Sequence, residues 1–300
     1  LELRDYSEAI RYYEKAAKHN NSIAIHNLGT MYFNGNGVVK DYGKAREYFE
    51  ESANLLNNFS YCMLGFIYYK GFGVQIDLKK ARLYFEKSSY QNNANAYLFL
   101  ANMYYNGEGV TKDYKKAKKY YEYSAELNNP TALFHLGKIY SDYDEINFRK
   151  SIQYYSKCTE IDKYSIKSLS PENQYQTMSL FNEYRYPAYN DLGLIYLIEY
   201  KNVDESKRFI KISAFSEYPF GQNNFGLLWQ FYSNNDKYAE VEAYHMYTRA
   251  SEKCFALSEY NRGYLKEKEN NIKESIKFYK LASQLKNSEG LYYCGYAFEN

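Results

Sequence analysis

The stretch Leu28-Gly29-Thr30-Met31-Tyr32, followed by Gly35-Asn36-Gly37, Asp41 and Ala45, decides the fold, because it recurs. Leu64-Gly65-Phe66-Ile67-Tyr68, Leu100-Ala101-Asn102-Met103-Tyr104 and Leu136-Gly137-Lys138-Ile139-Tyr140 repeat it at steps of 36 residues. Downstream marks keep the same frame. Gly35/Gly37 is followed by Gly71/Gly73 and Gly107/Gly109, Asp41 by Asp77 and Asp113, and Ala45 by Ala81 and Ala117. Separate marks holding one period define a repeat array, which must be recognised before any other reading.

Each unit reads as two helices. Helix A of the first runs from about Ser22 to Asn34, with Ala24, Leu28 and Tyr32 four apart on one face. Gly29 leaves room for a neighbouring backbone, and Gly35 ends the helix because glycine reaches positive φ without a β-carbon clash. Val38 is expected to pack beneath the turn, and Asp41 to cap helix B. Ala45, Tyr48, Phe49 and Ala53 form the expected buried stripe of helix B. Asn57-Asn58 and Asn128-Asn129 read as links between units. The predicted architecture is all-α, with antiparallel helix pairs joined by tight turns.

The pattern carried by Leu28 to Ala45 is leucine-glycine, a tyrosine, the paired glycines with valine, then aspartate and lysine-alanine. It resembles the Sel1-like repeat, a relative of the tetratricopeptide repeat. Leu64 to Ala81 matches nearly as well, and Leu100 to Ala117 departs by placing Ala101 at the first glycine. The resemblance implies a right-handed superhelical solenoid that assembles protein complexes and supplies binding rather than chemistry.

The array loses regularity downstream. Ser141-Asp142-Tyr143-Asp144 replaces the glycine turn of the fourth unit, although Arg149 to Tyr155 keeps a helix B pattern. The next clear mark, Leu192-Gly193-Leu194-Ile195-Tyr196, comes late by about 20 residues, which reads as an insertion. Within it, Ser170-Pro171-Glu172 starts a short extra helix bearing Tyr175, Met178 and Phe181. The expected organisation is a regular array over 1–159, an insertion over 160–187 with the weakest stacking near Lys163 to Ser170, and degenerate repeats over 188–300. Arg4 to Ala17 reads as a lone helix B and Gly290 to Asn300, with Cys294-Gly295, as a cut-short helix A. The chain is therefore expected to be a piece that begins and ends mid-repeat.

Composition narrows the function classes. The 300 residues carry 38 basic and 36 acidic side chains, a formal charge of +2, without the basic excess of a general nucleic-acid binder. Only 4 prolines and 16 glycines argue against low-complexity disorder. The 40 tyrosines need partners for their hydroxyls, which helix edges and grooves provide. Cys62, Cys158, Cys254 and Cys294 form no CxxC pair, so zinc-ribbon and redox readings fail and a reduced, cytoplasmic setting is expected. No stretch reads as a membrane span, since Pro219, Gly221, Gly226 and several amides interrupt the longest uncharged run.

Candidate chemistry is sparse. The Gly-x-Gly segments resemble phosphate loops, but each follows a helix rather than a strand and recurs at the repeat period, which identifies turns. His19, His26, His135 and His245 share no metal-ligand spacing, and the neighbouring Asp142 and Asp144 lack a nucleophile or oxyanion donor. No catalytic residue, cofactor or metal is expected. What remains is a surface. Beside the arc of Ala24, Leu28, Gly29 and Tyr32, helix A presents a second arc, and the candidate ladder there is His26, Phe33, Phe66, Tyr69, Lys70, Asn102, Tyr105 and Asn106. Aromatics, amides and a few charges are the composition of protein-recognition surfaces. The competing role for these aromatics is packing between adjacent units. The expected function is a scaffold or adaptor that holds a peptide or partner domain on its concave face, without nucleic acid and without membrane insertion by this segment. The resemblance to the Sel1-like family leaves two alternatives open. One is the C-terminal repeat region of a larger signalling enzyme, such as a protein kinase, with its catalytic domain outside the chain. The other is a quality-control adaptor of degradation at the endoplasmic reticulum, for which Asn58-Phe59-Ser60 offers a glycosylation pattern.

Overall fold

A computed structural model describes residues 6–142, 146–160, 171–233, 236 and 238–285, and for Asp142 and residues 171–182 the backbone alone. Asp144, the segment Lys163 to Ser170, the segment Gly290 to Asn300 with Cys294, and the side chains of Asp142, Tyr175, Met178 and Phe181 lie outside the described residues.

The described residues form fifteen helices and no strand. They are α1 (Tyr6–Ala17), α2 (Ser22–Asn34), α3 (Tyr42–Asn54), α4 (Asn58–Lys70), α5 (Leu78–Ser89), α6 (Ala94–Asn106), α7 (Tyr114–Glu126) and α8 (Pro130–Asp142). There follow α9 (Phe148–Glu160), α10 (Pro171–Ile198), α11 (Val203–Phe215), α12 (Pro219–Tyr232), α13 (Ala239–Ser251), α14 (Ala256–Lys268) and α15 (Ile272–Gln284). The most extensive packing joins α2 to α3, α4 to α5, α6 to α7, α10 to α11, α12 to α13 and α14 to α15, so each unit is an antiparallel helix pair. The chain divides into two compact units, residues 1–136 and 137–300, with the boundary inside α8.

The local signals act as their chemistry requires. Asp41, Asp77 and Asp113 accept the backbone N–H of Lys44, Lys80 and Lys116 at 3.0, 2.9 and 3.0 Å, capping each helix B. Asn57 and Asn129, in the stretches read as links, are also caps: like Asn21 and Asn93 they accept from the third residue of their helices A. Gly35, Gly71 and Gly107 adopt positive φ of 78°, 76° and 79° at the end of helix A, and the Gly35 N–H donates to the Met31 carbonyl at 2.8 Å. The second glycine serves another purpose as well. A β-carbon on Gly37 would lie 2.4 Å from that of Tyr6, and one on Gly109 2.6 Å from that of Leu78. Each turn thus rests on the first residue of the helix B one unit earlier.

A ring-on-glycine contact closes five of the pairs. Phe49, Phe85, Tyr155, Tyr247 and Tyr279, all buried, cover Gly29, Gly65, Gly137, Gly226 and Gly263, and a β-carbon on Gly65 would come within 2.6 Å of the Phe85 ring. The buried stripe of α3 is Ala45, Phe49, Ser52 and Ala53. Tyr48 is only partly buried and stacks on Tyr32 with centroids 5.6 Å apart, since its position rotates it to the flank shared with helix A. Ser52, Ser88 and Ser124 donate to the Ser22, Asn58 and Ala94 carbonyls at 2.7, 2.7 and 2.8 Å, an inter-helix bond that also keeps the period. Val74 and Val110 pack against the apolar clusters as the turn plugs. In the second unit, the helix that opens at Pro171 runs on through Pro187 to Ile198 as one 28-residue element that includes the helix A of Leu192-Gly193.

Candidate partner-binding surface

The ladder residues sit on α2, α4 and α6 of the first unit. With Phe99 of α6, three of their rings form a connected run: Phe33 to Phe66 at 6.3 Å, Phe66 to Phe99 at 5.5 Å and Tyr69 to Phe99 at 5.9 Å between centroids. All four are partly buried, so the run packs between neighbouring helices A while keeping part of its area accessible. Phe72, the middle residue of the second Gly-x-Gly, folds onto the run 5.3 Å from Phe33 and 5.5 Å from Phe66. Tyr42 closes the group against Phe33 and Phe72, at 5.2 and 5.1 Å.

A polar edge adjoins these rings. The Tyr69 hydroxyl donates to a Glu108 carboxylate oxygen, and the other oxygen accepts from Asn106 Nδ2 at 3.2 Å. Burial, then the Glu108 bond, holds the Tyr69 hydroxyl protonated well above the ordinary phenol range. Lys70 is exposed, with its ammonium 5.0 Å from the Tyr69 ring centre, and Asn106 is exposed as well.

The remaining candidates are held inward. Asn102 Oδ1 accepts the hydroxyl of the buried Tyr121 at 2.6 Å. Tyr105 meets Tyr114 edge-on at 5.3 Å and Tyr121 at 6.4 Å. His26 bridges α2 and α4, with Nδ1 2.9 Å from Ser60 Oγ and its ring against Phe49 and Phe59 at 5.3 and 6.1 Å. Burial lowers the His26 pKa from 6.5 to about 4, so the ring is neutral at pH 7. The structure therefore brings Phe33, Phe66, Tyr69, Lys70 and Asn106 to one accessible strip and sets His26 and Asn102 beneath it. Sequence reasoning missed Phe72, Phe99 and Glu108. The signal available for two of them was the middle position of the glycine turn, occupied in turn by Asn36, Phe72 and Glu108.

Other chemistry has little purchase. The glycine-turn N–H groups of Gly35, Asn36, Gly71 and Phe72 donate to the carbonyls of Met31 and Ile67, which commits them to the helix end rather than to a phosphate. Among the described residues no group of three His, Cys, Asp or Glu is placed to hold a metal ion. Burial pushes the Cys62 and Cys158 thiols up to about 12, far from a reactive thiolate. No helix of the described residues is long and apolar enough to cross a membrane.

Comparison with known proteins agrees with the fold of packed helix pairs. No curated protein sequence gives a significant match. Among solved structures, the chain is similar to a Sel1 repeat protein from Oxalobacter formigenes, with a TM-score of 0.66 and 22% identity over 83% of this chain and 94% of that one. It is also similar to a protective antigen of uropathogenic Escherichia coli strains that displays an SLR fold, with a TM-score of 0.57 and 22% identity over 98% of this chain and 68% of that one. The family model described as Sel1 repeat matches residues 2–21, 22–55, 59–93, 94–129 and 254–287, more than half of the chain. Members of that family typically act as protein-interaction scaffolds, and this chain belongs to the Sel1 repeat family.

Proposed function

We propose that this chain is an interaction scaffold whose first unit receives a peptide or partner domain along the strip of Phe33, Phe66, Tyr69, Lys70 and Asn106. The observation that carries this reading is the connected run of half-buried rings from Phe33 through Phe66 to Phe99, which crosses three successive helices A. Rings already locked by their neighbours lose little freedom on binding, so their remaining accessible area is available to a partner at low entropic cost. Lys70 and Asn106 at the edge supply donors for a backbone or carboxylate. His26 and Asn102 act beneath the strip by fixing the helices that carry it.

The test compares two variants against proteins captured by the wild-type chain. Phe66→Ala with Tyr69→Ala should weaken capture while the helical circular-dichroism signal persists, because aromatic anchors contribute about 1–3 kcal/mol each to a complex. Phe49→Ala, at a fully buried position, should lower stability instead. A double variant that stays folded and captures the same partners equally well rules the strip out.

A further inference from the structure

The repeat allows one unit to be compared with another position by position. In the first unit, the residues three before and one after the buried helix B ring form an ion pair. Arg46 meets Glu50 at 3.6 Å and Arg82 meets Glu86 at 3.3 Å, flanking Phe49 and Phe85. Lys118 and Glu122 keep the same types around Tyr121. In α11 the ring position is Ile210, which covers Gly193. There the two flanking positions are Lys207 and Lys211, so the acid of the pair has become a second cation.

The next helix A changes at the matching place. In four helix pairs a tyrosine three residues after the small residue of helix A stacks on a helix B tyrosine under a lysine ammonium. The pairs are Tyr32 with Tyr48, Tyr68 with Tyr84, Tyr104 with Tyr120 and Tyr140 with Tyr154, at 5.6, 5.8, 5.6 and 5.6 Å. In α12 that position is Trp229, the single tryptophan of the chain, and the residue facing it in the frame is Met246. Trp229 is partly buried.

These two departures border one cleft of about 330 Å³ between α11 and α12. Its floor is Phe225, Leu228 and Trp229, and its rim is Lys207, Arg208, Lys211 and Asp204. Lys207 is committed to the end of α12, donating to the Tyr232 carbonyl at 3.0 Å and to Ser233 Oγ at 3.2 Å. Arg208 pairs with Glu205 at 3.2 Å. Lys211 is exposed, its ammonium 5.8 Å from the Phe215 ring, and among the described residues no carboxylate lies within ion-pair distance of it. An apolar floor beside an uncompensated cation suits a ligand with a bulky apolar group next to a carboxylate.

We infer that this cleft is a second docking site, for an acidic peptide segment that inserts a bulky apolar side chain against Trp229 and sets a carboxylate on Lys211. The size of the cleft admits one large side chain, and its charge selects the flanking residues. The inference shares with the strip in the first unit only the premise that the partners are proteins, and none of its residues.

Trp229 is its own reporter. The probe is a short capped peptide with one phenylalanine flanked by glutamates, titrated into the whole chain while indole emission is followed. The expected result is a saturable change that weakens with added salt. Lys211→Glu recreates the cation–acid pairing of α3 and α5, so it should leave the thermal midpoint intact while raising the dissociation constant at least about tenfold. Three results overturn the inference: no saturable change with the acidic peptide, unchanged affinity in the Lys211→Glu chain, or equal binding of a peptide whose glutamates are replaced by lysines. Decanoate binding as tightly as the peptide would overturn the peptide assignment. Phe66→Ala with Tyr69→Ala should leave this titration unchanged, which separates failure of the first-unit strip from failure of this site.

Discussion

The two units share one way of closing a helix pair and differ in how neighbouring pairs are joined. In the first unit the seam between successive helices A holds rings, with Phe33, Phe66, Phe99 and Tyr69 in contact and His26 filling the gap above Phe49. In the second unit the seam rests on buried amides beside the Phe220–Phe255 ring contact at 4.5 Å, and the first unit has one such amide bond near its end, from Asn129 Nδ2 to Asn95 Oδ1 at 3.0 Å. Asn224 Nδ2 donates to Asn190 Oδ1 at 2.9 Å, and Asn261 Nδ2 donates to Asn223 Oδ1 at 2.8 Å, with Asn190, Asn223 and Asn261 buried. Rings contribute by area and tolerate small shifts. Buried amides contribute by direction, and each is costly if its partner moves. One fold therefore accommodates a seam that can expose apolar area to a partner and a seam that fixes register internally. Capping is less regular in the second unit, where Asn147, Asn202 and Asn271 still cap α9, α11 and α15. Asparagine or aspartate side chains cap α2 to α7, whereas α12, α13 and α14 carry no side-chain cap bond.

The largest effect is expected where the seam meets the closing ring. Phe85 is fully buried, stacks on Phe99 at 4.7 Å and covers Gly65. Phe85→Ala should cost about 3–5 kcal/mol in urea denaturation, through lost burial and the cavity left behind. If rings and amides join helix pairs in different ways within the two units, the loss should fall on the first unit, with hydrogen exchange accelerating in α4 to α6 before α12 to α15. Uniform acceleration across both units would erase the distinction.

A pH titration sharpens the comparison, because the ring seam contains an ionisable group. The folded-state pKa of His26 is lowered to about 4 from 6.5. Between those values the unfolded chain takes up a proton that the folded chain refuses, so stability is full above the unfolded value and is lost as pH falls toward the folded one. From about pH 7 to about pH 5 this amounts to roughly 2 kcal/mol at most. The check is the slope of the urea midpoint against pH, compared with that of His26→Leu, which should lack this component. Equal slopes would remove His26 from the account.

A comparable effect concerns the amide seam. Asn223→Ala removes the acceptor for Asn261 and strands a buried donor, which should cost about 1–3 kcal/mol. Asn223→Ala combined with Asn261→Ala should be less destabilising than the sum of the two single changes, because no donor is left unpaired. Strict additivity in that cycle would mean that the bond does not hold the seam.

Much of this was legible in the sequence. The 36-residue step, the helix ends at Gly35 and the caps at Asp41, Asp77 and Asp113 are local chemistry, and α2 spans Ser22–Asn34 as the pattern predicts. Which flank of helix A meets solvent was far less legible. A helix inside a solenoid packs on its pair-mate and on the helices A before and after it, so an amphipathic period marks the buried arcs without dividing them. That is why Tyr48 was placed in the buried stripe and instead stacks on Tyr32, and why His26 was placed on the ladder although it bridges α2 and α4. Phe72 and Glu108 escaped notice because a turn residue was read for its backbone alone. The helix from Pro171 to Ile198 ran past the expected stop because Pro187 removes one donor without ending the element.

The contact of each second glycine with the helix B one unit earlier has a consequence for how such a chain varies in length. Gly37 rests on Tyr6, Gly73 on Tyr42 and Gly109 on Leu78, so every joint spans the same number of residues. Excising residues 38–73 would join Gly37 to Val74 and leave the Gly37–Tyr6 joint as it is, whereas excising a shorter piece would separate the turn from its seat. Duplication or loss of coding sequence is thus harmless only in whole periods, and the span that the array offers a partner grows in discrete steps rather than continuously.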